Sequence, residues 1–427
     1  MRRIGLILII LLVFEFTSIL ILGTQKTLIL SDPSSNHVAW ATSWGGILRD
    51  YSYDAVFAGG SLFVTGATFS YGPGPVNLVL LKYSGEGVLA WNETYSLGGY
   101  TMGRGAASDG DSIYVSGIHI LGNVSYSLLL KYDQDGRLIW EREWRPGMDA
   151  KSTDVSLDEA GNIYVTGYVI NSPQMNSEYL LKYSGGGDLL YSKIVDSQNS
   201  ETAWGISVSD AVYLCGEAGY NTSSPRPVTR MLLTKMSLDG TMLWSRESSI
   251  GIGNAANAVD AKNVISVAGY TMFMNGTAKE VLRQYSPDGD LVHTLVLGES
   301  PIEDMAWGVV SAGQYIYVVG HARPNFTDMA DATVCKIGPD GRLIWRDYYG
   351  GTNIDRARAV SVSGNDVYVV GETMMYGLDM QISVKKYVSP NAALNPEQSL
   401  SLQLSPMAIG CVLFILQISE LMRRRMR

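Results

Sequence analysis

Hydrophobic and polar positions along this chain follow one pattern that returns about every fifty residues. An alternating stretch of the type Ile-Tyr-Val-x-Gly occurs in seven versions, which end at Gly66, Gly117, Gly167, Gly216, Gly269, Gly320 and Gly371. Successive glycines are 51, 50, 49, 53, 51 and 51 residues apart. Periods of this length are typical of proteins in which each repeat is one supersecondary unit. The pattern therefore predicts a repeat array over most of the chain.

A second apolar stretch follows each glycine in register and ends in a lysine and an aromatic. It reads Leu-Leu-Lys-Tyr at 80–83, 129–132 and 180–183, with related forms in the other repeats. A turn rich in Asp and Gly comes next, which favours a hairpin because these residues tolerate positive φ. The strand after the turn carries an aromatic residue, which is Trp91, Trp140, Tyr191, Trp244, His293 or Trp345. The recurring lysines are predicted to pair with neighbouring repeats or with solvent.

Each repeat thus predicts four short antiparallel strands, with no helical period between them. Such units are typical of the blades of a β-propeller, in which radial repetition leaves few exposed sheet edges. The seventh repeat stops at Tyr387 without its aromatic strand, whereas Trp40 and Trp44 belong to such a strand before the first repeat. We therefore predict an all-β, seven-bladed propeller over 36–388, with four-stranded antiparallel blades and an N-terminal strand that closes the last blade.

The run Ala-Gly-Asn-Ile-Tyr-Val-Thr-Gly at 160–167 resembles the SBBP-type β-propeller repeat of microbial surface proteins. The resemblance extends over about residues 38–388. It implies a seven-bladed propeller placed outside the cytoplasm, and it implies no catalytic residues.

The two ends of the chain are predicted to form terminal hydrophobic helices. Residues 1–24 have the basic start and apolar stretch of a signal peptide or an N-terminal anchor, and cleavage stays open. A polar linker at 389–403 precedes an apolar segment at 404–422, which predicts a C-terminal transmembrane anchor, with an amphipathic tail lying on the membrane as the alternative. The basic tail at 423–427 predicts a cytoplasmic C-terminus and an extracytoplasmic propeller on the cell membrane.

Charge narrows the choice of partners. The chain has a net charge of −9, and residues 27–419 contain 25 basic and 39 acidic residues, a net charge of −14. Nucleic acid is therefore not expected as a partner, because its phosphates require a basic surface. The expected partners are an envelope protein or a glycan, together with the membrane that holds the C-terminal anchor.

Polar residues near the start of the predicted inner strands are candidates for lining the mouth of the central channel: Asp54, Arg104, Asp154, Asn257, Arg356 and Arg358. Converging carboxylates could hold Ca²⁺, which takes several oxygen ligands, but the chain has no Asp-x-Asp-x-Asp-Gly loop. The simpler interpretation is that these polar side chains line the channel and form hydrogen bonds within the protein. Neither a metal site nor a cofactor is therefore predicted. Trp204 and Trp307 share this strand position and could stack on sugars, although burial in the core is the favoured alternative.

Recognition is expected on the face of the disc that carries the connections between second and third strands, which we call the long-loop face. The sequence predicts long loops there at 67–77, 118–127, 217–229, 270–279 and 321–332, and variable loops on a rigid scaffold often carry recognition. Five Asn-x-Ser/Thr sequons are candidates for glycosylation, at Asn92, Asn123, Asn221, Asn275 and Asn325. All except Asn92 fall in second-to-third-strand loops, and unused sequons are an equal alternative.

Enzyme motifs are absent from the sequence. The four histidines lack metal-ligand spacing, and the chain has no Gly-x-Ser-x-Gly elbow or phosphate loop. We therefore expect a membrane-anchored extracytoplasmic propeller, with no assigned catalytic residue, that binds a protein or glycan through its long-loop face in recognition or adhesion. The alternative is a secreted or surface hydrolase that acts on envelope polysaccharide with channel carboxylates such as Asp54 and Asp154. A purely structural envelope spacer is a third possibility.

Overall fold

The computed structural model describes residues 37–172, 175–195, 199–220, 228–262, 264–325, 329–374 and 379–388. The predicted segments 1–24, 389–403, 404–422 and 423–427, and the sequon at Asn221, lie outside these residues. Within the described ranges, no helix is long and apolar enough to cross a membrane.

The described chain folds into seven units of four strands, which we call blades 1 to 7. The first, inner strands are β2 (Asp50–Ala58), β6 (Tyr100–Ser108), β10 (Asp149–Leu157), β14 (Ser200–Val208), β18 (Gly253–Asp260), β22 (Glu303–Ala312) and β26 (Asp355–Ser363). The second strands are β3 (Ser61–Thr68), β7 (Ser112–Leu121), β11 (Ile163–Ser172), β15 (Val212–Tyr220), β19 (Ile265–Met272), β23 (Tyr315–Arg323) and β27 (Asp366–Met374).

The third and fourth strands complete each blade towards the outside. The third strands are β4 (Asn77–Ser84), β8 (Val124–Asp133), β12 (Met175–Tyr183), β16 (Val228–Met236), β20 (Ala278–Tyr285), β24 (Asp331–Ile337) and β28 (Met380–Tyr387). The outer strands are β5 (Leu89–Tyr95), β9 (Leu138–Trp144), β13 (Leu189–Ile194), β17 (Met242–Ser248), β21 (Leu291–Leu297), β25 (Leu343–Tyr349) and, for blade 7, β1 (Val38–Trp44).

The arrangement of these strands is that of a β-propeller. Strands within each blade are antiparallel and follow one another outwards. Parallel bridges join neighbouring blades at Ala278 with Glu303, between blades 5 and 6, and at Val76 with Tyr100, between blades 1 and 2. Each inner strand contacts the inner strands of the neighbouring blades, and β26 of blade 7 contacts β2 of blade 1. As the sequence predicts, β1 pairs with β28, so the first described strand completes the last blade.

The signature glycines allow the inner strand and the second strand to approach closely. A Cβ on any of them would overlap a backbone carbonyl oxygen of the neighbouring inner strand, at Tyr51, Met102, Lys151, Thr202, Ala255, Met305 or Arg356. Glycine at this position is therefore required by the close contact of two backbones, a role in which any side chain would force the strands apart.

The turns between third and fourth strands lock each blade to the preceding one. Gly136 has a φ of 84°, and a Cβ there would press on the Trp91 ring of blade 1. The same contact joins Gly187 to Trp140 and Gly87 to Trp40. The aromatic of each outer strand thus packs beneath the next blade's turn, which explains why both recur with one spacing.

The recurring lysines join blades as predicted. Lys82, Lys131, Lys182, Lys235 and Lys386 donate from Nζ to a carbonyl oxygen in the next blade's turn, at distances of 2.7 to 3.3 Å. Lys336 of blade 6 faces the split blade 7, whose third and fourth strands are not consecutive in the chain. Its Nζ lies 3.9 Å from the centroid of the Tyr315 ring.

The predicted loops of the long-loop face are shorter than the sequence suggests. The second strands continue past the signature glycine, so the segment 118–127 is almost entirely β7 and β8, with only Gly122 and Asn123 between them. The loop at 270–279 reduces to 273–277, and the loop at 321–332 to 324–330. The glycine permits this extension because it removes the steric barrier at the crossing with the inner strand. Residues after the glycine therefore project from a strand near the channel.

Candidate functional site

Every inner strand carries a β-bulge next to the residue that pairs with the signature glycine. A bulge leaves one residue without a ladder partner and redirects its side chain. The seven unpaired residues all line the central cavities, and we call them the channel ring: Tyr53, Arg104, Thr153, Trp204, Asn257, Trp307 and Arg358.

A cavity of about 310 Å³ lies on the long-loop side of the channel ring. Besides the ring, its walls include Ile118, Tyr168, Glu217 and Tyr270, each of which directly follows a signature glycine. The second strands run towards the long-loop face, so the cavity opens there. We call it the upper cavity. Its volume lies at the lower end of the range of small-molecule sites, which are mostly apolar with a few placed polar groups.

Blades 1 to 4 supply one guanidinium and one carboxyl to the upper cavity. The Cζ of Arg104 lies 4.1 Å from the centroid of the Tyr53 ring, and its buried Nε has no hydrogen-bond partner. Burial raises the pKa of Glu217, and a hydrogen bond with Trp204 opposes that shift. The rings of Tyr168 and Trp204 meet edge to face with centroids 5.8 Å apart, a favourable geometry for two aromatic rings.

On the blade 6 side, a hydrogen-bonded chain fixes Trp307. Its indole N–H donates to Nδ1 of His321 at 2.9 Å, and Nε2 of His321 lies 2.7 Å from Oε1 of Glu303. An indole nitrogen can only donate, so Nδ1 must accept and Nε2 must hold the ring proton. Burial lowers the pKa of His321, and Glu303 only partly offsets that shift, so the ring is kept neutral.

Arg358 is already paired, in contrast to Arg104. Its Nε donates to both carboxylate oxygens of Glu372, at 3.0 and 3.2 Å, and its Cζ lies 4.6 Å from the centroid of the Trp307 ring. Burial raises the pKa of Glu372, and Arg358 opposes the shift. Arg358 therefore holds Trp307 in place, whereas the buried Nε of Arg104 has no hydrogen-bond partner among the described residues.

A smaller cavity of about 150 Å³ lies on the other side of the channel ring, and its walls include Asp54 and Asp154. Asp54 accepts the N–H groups of Ala55 and Ala106 at 2.8 and 2.7 Å. Asp154 likewise accepts from Val155 and Ile206, at 2.7 and 2.9 Å. Each carboxylate thus ties its own blade to the next. No group of three or more His, Cys, Asp or Glu side chains in position to hold a metal occurs among the described residues.

Burial raises the pKa of Asp54 to about 7 and that of Asp154 well above its ordinary value, with the Asp54 charge adding to the shift at Asp154. In the walls between blades, burial also raises the pKa of Glu178 to about 8 and that of Glu280 to about 7. A carboxyl with a raised folded-state pKa binds its proton more tightly in the folded protein. Its contribution to stability is complete below about pH 4 and is lost as the pH rises through the folded-state pKa.

We therefore expect the melting temperature to fall as the pH rises from 6.5 to 8.5. Each unit by which a pKa differs between the folded and unfolded chains corresponds to about 1.4 kcal/mol. Glu178→Gln should flatten this dependence and raise the melting temperature at pH 8.5, whereas Glu159→Gln, at an exposed turn residue, should follow the parent protein. Calorimetry across the pH range checks this, and a melting temperature that rises towards pH 8.5 would contradict it.

Seven of the eight residues that the sequence proposes for the channel line these cavities: Asp54, Arg104, Asp154, Trp204, Asn257, Trp307 and Arg358. The favoured alternative of core burial is wrong for Trp204 and Trp307, which are half-buried channel residues. Arg356 lines neither cavity. The pKa of Glu303 is lowered chiefly by its hydrogen bond with His321, and the charge of Arg356 adds to that shift. Sequence reasoning missed Tyr53, Thr153, Tyr168, Glu217 and Tyr270. Tyr168, Glu217 and Tyr270 each directly follow a signature glycine, and Tyr53 and Thr153 precede one by 13 and 14 residues.

The sequons within the described ranges are at exposed positions. Asn92 lies on the outer strand β5, whereas Asn123, Asn275 and Asn325 lie between second and third strands. The Asn275 side chain accepts hydrogen bonds from the N–H and the hydroxyl of Thr277, at 3.1 and 2.8 Å. Exposure is compatible with glycosylation of these four asparagines, and their use stays a prediction.

Comparison with known proteins gives only distant similarities. No family model matches the chain, and no curated protein matches it. The β-propeller domain of the Trilobed protease from Pyrococcus furiosus, described as having an open velcro topology, is 12% identical with a TM-score of 0.47, covering 80% of this chain and 98% of that one. A protein of unknown function from Dyadobacter fermentans is 10% identical with a TM-score of 0.48, covering 82% and 98%.

An acylaminoacyl peptidase from Pyrococcus horikoshii is 9% identical with a TM-score of 0.48, and the match covers 80% of this chain and 52% of that one. TM-scores below one half and identities this low carry no argument about function. The β-propeller assignment accordingly rests on the strand topology itself, and function must be argued from the site.

Proposed function

We propose that this protein is a membrane-anchored, extracytoplasmic, seven-bladed propeller of the SBBP-type repeat class that binds a glycan through its upper cavity. One observation carries the proposal: five aromatic side chains, the guanidinium groups of Arg104 and Arg358 and one carboxyl surround a cavity of about 310 Å³ on the long-loop face. The aromatic residues are Tyr53, Tyr168, Trp204, Tyr270 and Trp307.

The chemistry of these walls suits a sugar ring. Aromatic faces combine a large apolar surface with defined geometry, and a sugar ring offers C–H groups on its faces and hydroxyl groups at its edge. Arg104 and Glu217 supply a donor and an acceptor that can fix the hydroxyl groups. The volume suits one terminal ring better than the interior of a polysaccharide. A protein partner would need a contact of about 800 Å² per side, which the surrounding face would have to supply.

The sequence supports the location. The apolar segments at both ends and the basic residues 423–427 favour a propeller outside the membrane. The acidic composition suits a solvated domain at the cell surface. An envelope glycan, or an envelope protein that carries one, is the partner that this placement makes accessible.

Titration of intrinsic fluorescence tests the proposal, because Trp204 and Trp307 lie in the cavity walls. We expect an envelope oligosaccharide to change the tryptophan emission, and Trp204→Ala or Arg104→Ala to weaken its affinity about tenfold, or about 1.4 kcal/mol. The matched control is Tyr100→Ala, an exposed aromatic residue at the start of β6 outside the cavity walls. Equal affinities in all three variants, each folded by calorimetry, would refute binding in the upper cavity.

A hydrolase is the second candidate, and the raised pKa values of Asp54 and Asp154 favour it, because a general acid must hold its proton near neutral pH. Against it, both carboxylates already accept two backbone N–H groups. Incubation with envelope polysaccharide separates the two functions. Cleavage that disappears in Asp154→Asn while binding persists would show that the protein is a hydrolase. Binding without cleavage would instead support a function in glycan recognition alone.

A further inference from the structure

Large apolar side chains lie exposed at the first two positions of five consecutive outer strands, β9, β13, β17, β21 and β25. Their exposed fractions run from 38% to 68%. We call these ten residues the apolar collar: Leu138, Ile139, Leu189, Leu190, Met242, Leu243, Leu291, Val292, Leu343 and Ile344. Each pair directly follows the turn between third and fourth strands, so the collar lies at the edge of the face opposite the upper cavity. A recurring exposed apolar surface indicates contact with a partner.

Both ends of the described chain leave the propeller at the equivalent position of blade 7. Val38 pairs with Tyr387, and the N–H of Val388 donates to the carbonyl oxygen of His37 at 2.8 Å. In sequence, only residues 23–36 separate this point from the apolar stretch that ends at Leu22, and only 389–403 separate it from the apolar segment 404–422. The two candidate anchors thus connect to the same face that carries the collar.

We propose that the apolar collar rests on the lipid bilayer that holds the terminal anchors, so that the upper cavity faces away from the membrane. The proposal rests on the membrane anchoring put forward above. Apolar side chains at an interface gain free energy by entering the boundary between headgroups and acyl chains. Short tethers raise the effective concentration of the collar at the bilayer, so that a weak intrinsic affinity suffices.

Charge identifies the kind of lipid surface. The turns beside the collar expose carboxylates at Asp135, Asp239, Asp288 and Asp340. Asp135 and Asp340 lie 3.9 and 3.8 Å from the guanidinium groups of Arg137 and Arg342, which offset part of this charge. The carboxylates outnumber these two guanidinium groups, so anionic headgroups would repel the turns within a screening distance of about 8 Å at physiological salt. The collar therefore fits a bilayer with electrically neutral headgroups.

Fluorescence of single labelled cysteines in the full chain tests this contact. Cys411→Ser removes the thiol in the C-terminal apolar segment, and Cys215 and Cys335 are fully buried. An environment-sensitive fluorophore is attached at Leu243→Cys in the collar, or at Leu121→Cys on the long-loop face as the matched control. These two leucines are 54% and 55% exposed.

In phosphatidylcholine vesicles with nitroxide-labelled lipids, we expect the label at position 243 to shift to the blue and lose at least half of its emission. The label at position 121 should remain water-like. Equal behaviour of the two labels, in chains that pellet with the vesicles after a carbonate wash, would overturn the orientation but leave the anchoring intact. A chain that fails to pellet would overturn both. Shielding of position 243 from iodide without nitroxide quenching would show that the collar contacts a second copy of the chain, and it would overturn the proposal. Stronger quenching in phosphatidylglycerol than in phosphatidylcholine vesicles would also overturn it, because the collar would then prefer an anionic surface.

Discussion

Deletion of residues 36–45 should unfold the propeller, because it removes β1, the outer strand of blade 7. Trp40 and Trp44 on this strand are 5% and 4% exposed, and they pack with residues of both blade 1 and blade 7. Loss of a large buried aromatic costs about 3–5 kcal/mol, and two such losses approach the total stability of about 5–15 kcal/mol that is usual for a domain. The deletion also leaves the outer edge of β28 unpaired, since β28 then pairs only with β27.

Calorimetry and far-ultraviolet circular dichroism measure this effect. Trp40→Ala alone should lower the stability by several kcal/mol, since it also removes the indole donor to the carbonyl oxygen of Gly85 at 3.2 Å. Ile47→Ala, just beyond β1 at a side chain that is 79% exposed, should leave the melting temperature unchanged. Cooperative unfolding of the deletion at the parent temperature would contradict closure of the ring by the N-terminal strand.

Substitution of Arg346 should have the second largest effect, because it breaks an ion cluster between blades 5 and 6. The Nη2 of Arg346 lies 2.7 Å from Oε2 of Glu280 and 3.4 Å from Oδ1 of Asp304. The side chains of both carboxylates are completely buried, and that of Arg346 is 7% exposed. Burial raises the pKa of Glu280 to about 7, so the measurement is made at pH 8.5, where this carboxylate is charged. Removal of Arg346 then leaves uncompensated buried charge, which costs about 3–5 kcal/mol. We expect Arg346→Ala to lose that much stability towards urea.

Arg342→Ala provides the matched control on the same blade. Its guanidinium lies 3.8 Å from Asp340, and the two side chains are 87% and 61% exposed, so this pair should contribute less than about 1 kcal/mol. The double variant Arg346→Met with Glu280→Leu should recover much of the loss, because apolar groups can replace a buried ion pair, and Lys279 still pairs with Asp304 at 3.4 Å. A loss below about 1 kcal/mol for Arg346→Ala would refute the cluster's structural role.

The blades could be predicted from sequence because they repeat. The same residue types recur wherever the backbone of each blade has the same conformational constraint. The glycines of the Tyr-Val-x-Gly strands and the Asp-Gly turns each satisfy a backbone constraint, so their spacing specifies the strands. Trp40 and Trp44 have the same spacing as Trp140 and Trp144 of the outer strand in blade 2. The closing strand is therefore recognisable from sequence, because one position in the repeat serves one packing role.

The bulge is what sequence reasoning missed at the site. In a regular strand, successive side chains point to opposite faces, so Asp54 and Tyr53 should not both face the channel. The extra residue of the bulge shifts the alternation of side chains between the two faces, so that Tyr53 and Thr153 also point into the channel. The pairing of Trp307, His321 and Glu303 depends on two strands meeting at a bulge, a contact that no local pattern encodes.

Hydroxyl-radical footprinting of the full chain with bound envelope glycan can show whether the glycan occupies the upper cavity, because it reports the solvent access of each aromatic residue. We expect protection of the aromatic walls of the upper cavity, which are Tyr53, Tyr168, Trp204, Tyr270 and Trp307. Tyr100 and Tyr348, which are both 47% exposed and lie outside these walls, should react equally with and without glycan. Protection of Tyr100 or Tyr348 while the five cavity residues stay reactive would rule out glycan binding in the upper cavity.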